Sequence, residues 1–435
     1  MGRRGAWKIR VAFSAAQLSH FGGVYLFHLF FHQLQLRTYL SRRFSYFQRN
    51  NQYSTTEILF ALMYPMILGL EKIEVSALLK TNGVFQYITG FSSFPNPTTL
   101  RRFLVRSSAE LLEPFREIHN DLRECFLAGA SPRSSYWIDF DSTAQTLYGH
   151  QEGVVKGYNP GHPGKKSYHP LVASEAHLRD CLGGFLRPGD AHTAEGVVPL
   201  FHEILALLPH RHGLRVRADA GFYSTDFVED LETEHVGFAV VAKMTAPVKR
   251  RVPGLRYHSV NSLFSVSQFR YQPTDWKKAY RFVVLRRKVI EDPEKELTLF
   301  TMDKYAYSVI VTNLPLTPYG VFTFYKDRAE LERIIRILKN DFPFGSAPTG
   351  NFSANAFYAE LSVLAYNLVI WFKRICLPDD WQSFTLPTLR HRLLMIPGEF
   401  VKTGNVPTLK FPRNNPYQDI FEYASNKIKK LKPLV

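Results

Sequence analysis

In the stretch FYKDRAELERIIRILKNDF, Tyr325, Arg328, Glu332 and Lys339 stand at offsets of 0, 3, 7 and 14 residues. On a continuous helix these offsets fall within an arc of roughly 60°, so the four side chains share one face. Leu331, Ile334, Ile337 and Leu338 take the other side, which predicts an amphipathic helix with a core to pack on. A carboxylate flanked on one exposed stripe by an arginine, a lysine and a tyrosine suits a metal ion held beside a phosphate. Two further acids close strand-like segments: Asp141 in YWIDFDST and Asp219 in RVRADAGFY. They lie 78 residues apart, and Glu332 lies another 113 residues on, so only folding can bring the three together.

Three carboxylates fit one kind of reaction. Breaking or transferring a phosphodiester requires an activated nucleophile and a stabilised leaving oxygen at opposite ends of an in-line displacement. Two divalent ions roughly 3.5–4 Å apart serve both ends. Hard oxygen donors suit two Mg²⁺ ions, with Mn²⁺ as a substitute. Asp141, Asp219 and Glu332 are therefore the predicted catalytic acids and metal ligands, and Arg328 and Lys339 the clamp on the phosphate oxygens. Singly, an aspartate at a strand end also reads as a turn cap, and a helical glutamate as half of a surface ion pair. Asp139, two residues before Asp141 on the same strand face, reads either as a supporting ligand or as buried polar support.

The elements that must carry these residues follow from periodicity. Strands are predicted at 136–141, near 168–175 and at 181–187. Next come a helix around 194–208, strand 214–218, helix 225–235 and strand 237–242. That order predicts an α/β layer with a mixed sheet. Alternating runs at 264–271, 280–290, 297–302 and 307–312 predict an antiparallel β-rich insertion spanning 245–320. The expected divisions are a mainly helical DNA-binding domain at 1–130, catalytic segments at 131–244 and 321–375 around the insertion, and a C-terminal region at 376–435.

Charge points to the partner. The chain has 54 Lys+Arg against 38 Asp+Glu, a formal net charge of +16 spread along its length, which suits a polyanion and above all nucleic acid. Asn96–Pro97 predicts a helix start, placing Thr98, Thr99, Arg101 and Arg102 where a recognition helix presents side chains to DNA. The loop 149–168 interleaves Lys156, Lys165 and Lys166 with Tyr158, His162 and Tyr168, a pattern suited to backbone contact and base stacking. Trp276 beside Lys277 and Lys278 is a further candidate for wedging a base. Three dispersed cysteines give no zinc or disulfide pattern and suit a reducing cytoplasm. Near the N-terminus, Arg3, Arg4, Lys8 and Arg10 precede a charge-poor stretch. Its apolar runs fall short of the ~20 residues a membrane span requires, so a buried helix and no membrane partner are expected.

These residues together resemble bacterial insertion-sequence transposases of the Asp-Asp-Glu type, in the subgroup with the Tyr-x2-Arg-x3-Glu-x6-Lys signature. Tyr325, Arg328, Glu332 and Lys339 meet that spacing in full, with Asp141 in DST and Asp219 in RADAGFY as the two aspartates. The segments GHQEGVVKGYNPGHPGKKSYHPL and LRPGDAHT are similar to members of the same group, and the resemblance extends from about residue 10 to beyond 410. It implies an RNase H-like catalytic core and cut-and-paste transposition in a bacterial, nucleoid-associated setting. It also implies a homodimer on paired ends, acting on terminal inverted repeats and target DNA. Tyr325, Arg328 and Lys339 would then hold the DNA backbone beside the cleaved bond. Two other readings stay open: a catalytically inactive or recruited DNA-binding relative, and an RNase H-like nuclease that never joins strands.

Overall fold

The computed structural model describes residues 11–44, 52–70, 72–130, 135–289, 300–302 and 305–434. Arg3, Arg4, Lys8 and Arg10 lie outside the described residues. The chain forms two compact units, one of residues 1–100 with 371–435 and one of residues 101–370.

The first unit is mainly helical. Its centre is the helix Thr55–Leu68, which buries every residue except Glu57. A capping box starts it: the Ser54 side chain accepts from the Glu57 amide while the Glu57 carboxylate accepts from the Ser54 amide. Gly69 ends it in the left-handed region at φ 78°. The charge-poor N-terminal stretch becomes the helix Val24–Gln33, whose Phe27, Phe30 and Phe31 pack with Phe60, Tyr64 and Phe372. Among the described residues no helix is long and apolar enough to cross a membrane. The strands Leu18–Ser19, Gly398–Thr403 and Val406–Lys410 form a small sheet in this unit.

The second unit is built on one large mixed sheet. Its strands are β1 (Trp137–Ser142), β2 (Leu171–Glu175), β3 (Cys181–Phe185), β4 (Arg215–Ala218), β5 (Gly237–Val241), β6 (Phe264–Tyr271), β7 (Tyr280–Lys288) and β8 (Tyr305–Thr312). In space they run β6-β7-β8-β5-β4-β1-β2-β3, with His258–Ser259 beside β6 and Phe300–Met302 paired to β8. Strands β1, β4 and β5 are mutually parallel, and every other pairing is antiparallel. The stretch expected as an insertion thus adds its strands to the same sheet, at the edge of β5.

Strand alternation decides what each face carries. Ile138 and Phe140 of β1, with Val216 and Ala218 of β4, face one large core. That core is closed by α2 (Val197–Leu207) and α3 (Thr225–Thr233) through Leu200, Phe201, Ile204, Phe227 and Leu231. The opposite face carries Trp137, Ala239, Val283 and Ile310, and is covered by Val321, Phe322 and Phe324 of α5 (Pro318–Lys326). Before α2 and α3 in the chain comes α1 (Pro97–Ala128), and after α3 comes α4 (Ala246–Arg251); α6 (Ala329–Asn340) and α7 (Phe352–Cys376) follow α5. A buried polar network within this unit ties α1, α7 and β3. His119 Nδ1 meets Glu360 at 2.6 Å, His119 Nε2 meets the Asn367 amide at 3.0 Å, and Asn367 bonds both backbone groups of Cys181.

Candidate active site

Register brings the two aspartates together. The last paired positions of β1 and β4 are Phe140 and Ala218, so Asp141 and Asp219 follow side by side at the C-terminal ends of neighbouring parallel strands, Asp141 still paired with Val172 of β2. Strand spacing of about 4.8 Å puts their carboxylates within mutual influence. Asp219 continues into the short turn Ala220–Phe222, where its carboxylate accepts from the Gly221 amide at 2.9 Å. Gly221 is required there: a Cβ would lie 2.4 Å from Cγ2 of Thr193, so the LRPGDAHT segment presses directly on the acid-bearing turn. Asp141 accepts from the Ser142 amide at 2.8 Å and pairs with Arg328 at 3.1 Å. Burial and the charge of Asp219 push the Asp141 carboxyl up to about 6 against the pull of Arg328.

Tyr325, Arg328, Glu332 and Lys339 do not share one helix, contrary to the sequence expectation. Helix α5 ends at Lys326 and α6 begins at Ala329, with Arg328 between them. At the break the Phe324 carbonyl and the Arg328 amide each have another partner. In a continuous helix the Phe324 oxygen would accept from the Arg328 amide. Here it accepts from Arg217 Nη1 at 2.7 Å, while the Arg328 amide turns to Tyr325 O at 3.0 Å. The break sends the Arg328 side chain inward, where it is 7% exposed and its Nη2 donates to Phe140 O at 3.0 Å. Arg328 is therefore not part of an exposed stripe; it braces Asp141 and the end of β1, and its buried Nε has no partner. Burial, with the charges of Asp219 and Asp141, pushes the half-buried Tyr325 hydroxyl up to about 12. On α6 the buried apolar residues are Leu331, Ile334, Ile335 and Leu338, with Ile337 only half-buried.

Lys339 closes the other side. Its Nζ donates to Thr143 Oγ1 at 2.7 Å and to Ala144 O at 2.8 Å, fixing the turn that follows Asp141. Burial lowers the affinity of this amine for its proton, and the Asp141 charge opposes that. Glu332 stands apart: it is exposed on α6, between the turns that carry Arg328 and Lys339. Among the described residues no group of three acids or metal-binding side chains is gathered. The Asp141–Asp219 pair fits a hard divalent cation, which would relieve the repulsion between two half-buried carboxylates.

Arg217 is the residue that sequence reasoning missed. It sits two positions before Asp219, as Asp139 sits two before Asp141, and the register sets Asp139 directly opposite Arg217. The two make a fully buried bidentate pair at 2.6 and 2.8 Å, with the guanidinium lying against the mutually packed rings of Trp137 and Phe324. Asp139 is thus engaged in support. The signal was present as matched D-x-D and R-x-D strand ends, readable only once the strands were known to be neighbours.

The remaining candidates separate by burial. Arg101 is half-buried and its Nε donates to the Pro348 carbonyl at 3.2 Å, whereas Arg102 is exposed. Lys165 and Lys166 are exposed, Lys166 opposite Lys156 in the three-stranded sheet of Gln145–Thr146, Val155–Lys156 and Lys166–Tyr168. Tyr158 is 70% exposed, but Tyr168 is buried with its hydroxyl on Glu152 O at 2.7 Å, so it does not offer a face to a base. Trp276 is also a core residue, 6% exposed and packed between Tyr223 and Tyr280.

No curated protein matches the chain. A solved structure described as the cryo-EM structure of piggyBac transposase synaptic complex with hairpin DNA is similar at 11% identity and a TM-score of 0.48. The match covers 86% of this chain and 79% of that one. A family model described as the transposase DDE domain, group 1, matches residues 2–433, so the chain belongs to the DDE transposase family.

Proposed function

We propose that this protein is a cut-and-paste DNA transposase of an insertion sequence, which hydrolyses phosphodiesters at element ends and joins the freed 3′-hydroxyl to target DNA. The observation that carries the reading is the emergence of Asp141 and Asp219 side by side from parallel strands, braced by Arg328 and Lys339. The order β3-β2-β1-β4-β5, with only β1, β4 and β5 parallel, supports an RNase H-like core. Asp141 and Asp219 would hold Mg²⁺, or Mn²⁺ in its place, with Glu332 drawn in from α6 as the third ligand of a two-ion site, and the bound ions would stabilise the attacking and leaving oxygens. Arg328 orients the Asp141 carboxylate from one side, and Lys339 sets the Thr143–Ala144 turn from the other. Tyr325 stands near enough for its hydroxyl to feel the charges of both aspartates. Arg102, Lys165 and Lys166 would grip the backbone of the terminal inverted repeats, with two copies assembled on paired ends.

The exposed position of Glu332 outside the acid pair favours one competing reading, a DNA-binding relative without catalysis. Supercoiled DNA carrying the sequences that flank the reading frame separates the two. Mg²⁺-dependent nicking followed by 3′-hydroxyl-dependent joined products is expected. Binding with no metal-dependent cleavage would establish the competing reading, and cleavage without joining would indicate a nuclease.

A further inference from the structure

Between Glu234 and Asp275 the chain contains no acidic residue, yet it contains Lys243, Lys249, Arg250, Arg251, Arg256 and Arg270, and all six are exposed. The topology gives this run a definite place. Strand β5 is parallel to β4 and β1, so its C-terminal end lies at the sheet edge from which Asp141 and Asp219 emerge. Lys243 follows that end by two residues, and α4 presents Lys249, Arg250 and Arg251 in its last turn. The backbone that carries them is anchored. Val248 and Val252 are fully buried in the main core, the Tyr257 hydroxyl donates to Val252 O at 2.8 Å, and Ser267 Oγ donates to Arg256 O at 2.7 Å. Arg251 instead lies over the Tyr271 ring at 5.1 Å, at the end of β6 that the register sets toward the opposite edge. Lys243 at the acid edge, with Arg256 held at Ser267, which the register sets level with Ala242, forms an anchored cationic strip that complements a polyanion passing through the acid pair.

We infer that residues 243–256 form a backbone grip for duplex DNA on the β5 side of the acid pair, with Lys243, Arg250 and Arg256 contacting phosphates. This rests on the proposed transposase reading and names where the duplex runs. The grip reads charge and not sequence, because exposed cations that meet phosphate oxygens carry no base information.

The test uses the full chain and a random-sequence 40-base-pair duplex, with anisotropy followed from about 50 to 200 mM salt. A triple variant, Lys243→Gln, Arg250→Gln and Arg256→Gln, is compared with a control triple, Arg211→Gln, Lys277→Gln and Lys278→Gln. The control removes the same formal charge from side chains already paired with Glu234, Glu229 and Glu232. Loss of three phosphate contacts should lower the slope of log affinity against log salt by roughly 2–3, against less than about 1 for the control. An unchanged slope, or equal changes in both triples, would overturn the grip while leaving cleavage by the wild type, and hence the transposase reading, untouched. A wild type that ignores duplex at every salt concentration, or holds only anionic vesicles, would overturn both. A circular-dichroism melt that matches wild type shows that the triple variant is folded.

Discussion

The ion pair between Asp139 and Arg217 makes the sharpest quantitative demand on this structure. Both side chains are fully buried, joined by two short hydrogen bonds, and the arginine's remaining bond goes to the Phe324 carbonyl. Asp139→Ala would strand a fully buried guanidinium that cannot shed its proton, a loss of about 3–5 kcal/mol. Arg217→Met should cost less, because the abandoned carboxyl can neutralise itself. Burial already pushes its affinity for a proton up, against the pull of Arg217. With the folded carboxyl raised above its unfolded value, the penalty of Arg217→Met should be small near pH 4 and should grow toward pH 7. The double variant Asp139→Ala/Arg217→Met removes both charges and leaves only the Phe324 carbonyl short of a donor, at a cost of about 1–3 kcal/mol. Urea unfolding of the four proteins at pH 7 measures these terms, and the double variant should be more stable than Asp139→Ala by at least about 1 kcal/mol. Additive losses, or an Asp139→Ala penalty under about 1 kcal/mol, would refute the claim that this pair locks the two acid-bearing strands.

Three other outcomes are expected. Asp141→Ala, Asp219→Ala and Glu332→Ala should each cut metal-dependent cleavage by about 10³-fold, equivalent to about 4 kcal/mol of barrier, while duplex binding persists; parental-rate cleavage by any one of them removes that residue from the catalytic set. Lys339→Met, which frees the Thr143–Ala144 turn, should lower the cleavage rate about 10–100-fold, and a loss of duplex affinity at unchanged rate would instead mark it as a phosphate contact. Burial lowers His119 to about 4, and its neutral ring donates to Glu360 and accepts from Asn367. Because the folded value lies below the unfolded one, stability should fall as pH drops from about 6.5 to 4, by about 3 kcal/mol from this group alone. His119→Asn should flatten that segment of the urea-midpoint profile, and an unaltered slope would mean that His119 is already charged in the folded protein.

The sequence by itself determined which residue types were available and which segments favour strand or helix. Strand and helix periods are short-range properties, so the strands around Asp141 and Asp219, and helices α2 and α3, were legible from apolar spacing. Only the tertiary structure decided three things that depend on neighbours distant in the chain. The parallel pairing of β1 with β4 set Asp141 beside Asp219 and committed Asp139 to Arg217. The helix expected across 325–339 divides at Asp327–Arg328, where Arg217 from β4 donates to the Phe324 carbonyl. Burial turned Tyr168 and Trp276 from candidate stacking platforms into core, because an aromatic ring beside lysines looks the same in a sequence whether it faces water or packing. Side-chain period is written in the chain, but the partner across the sheet is chosen by the fold.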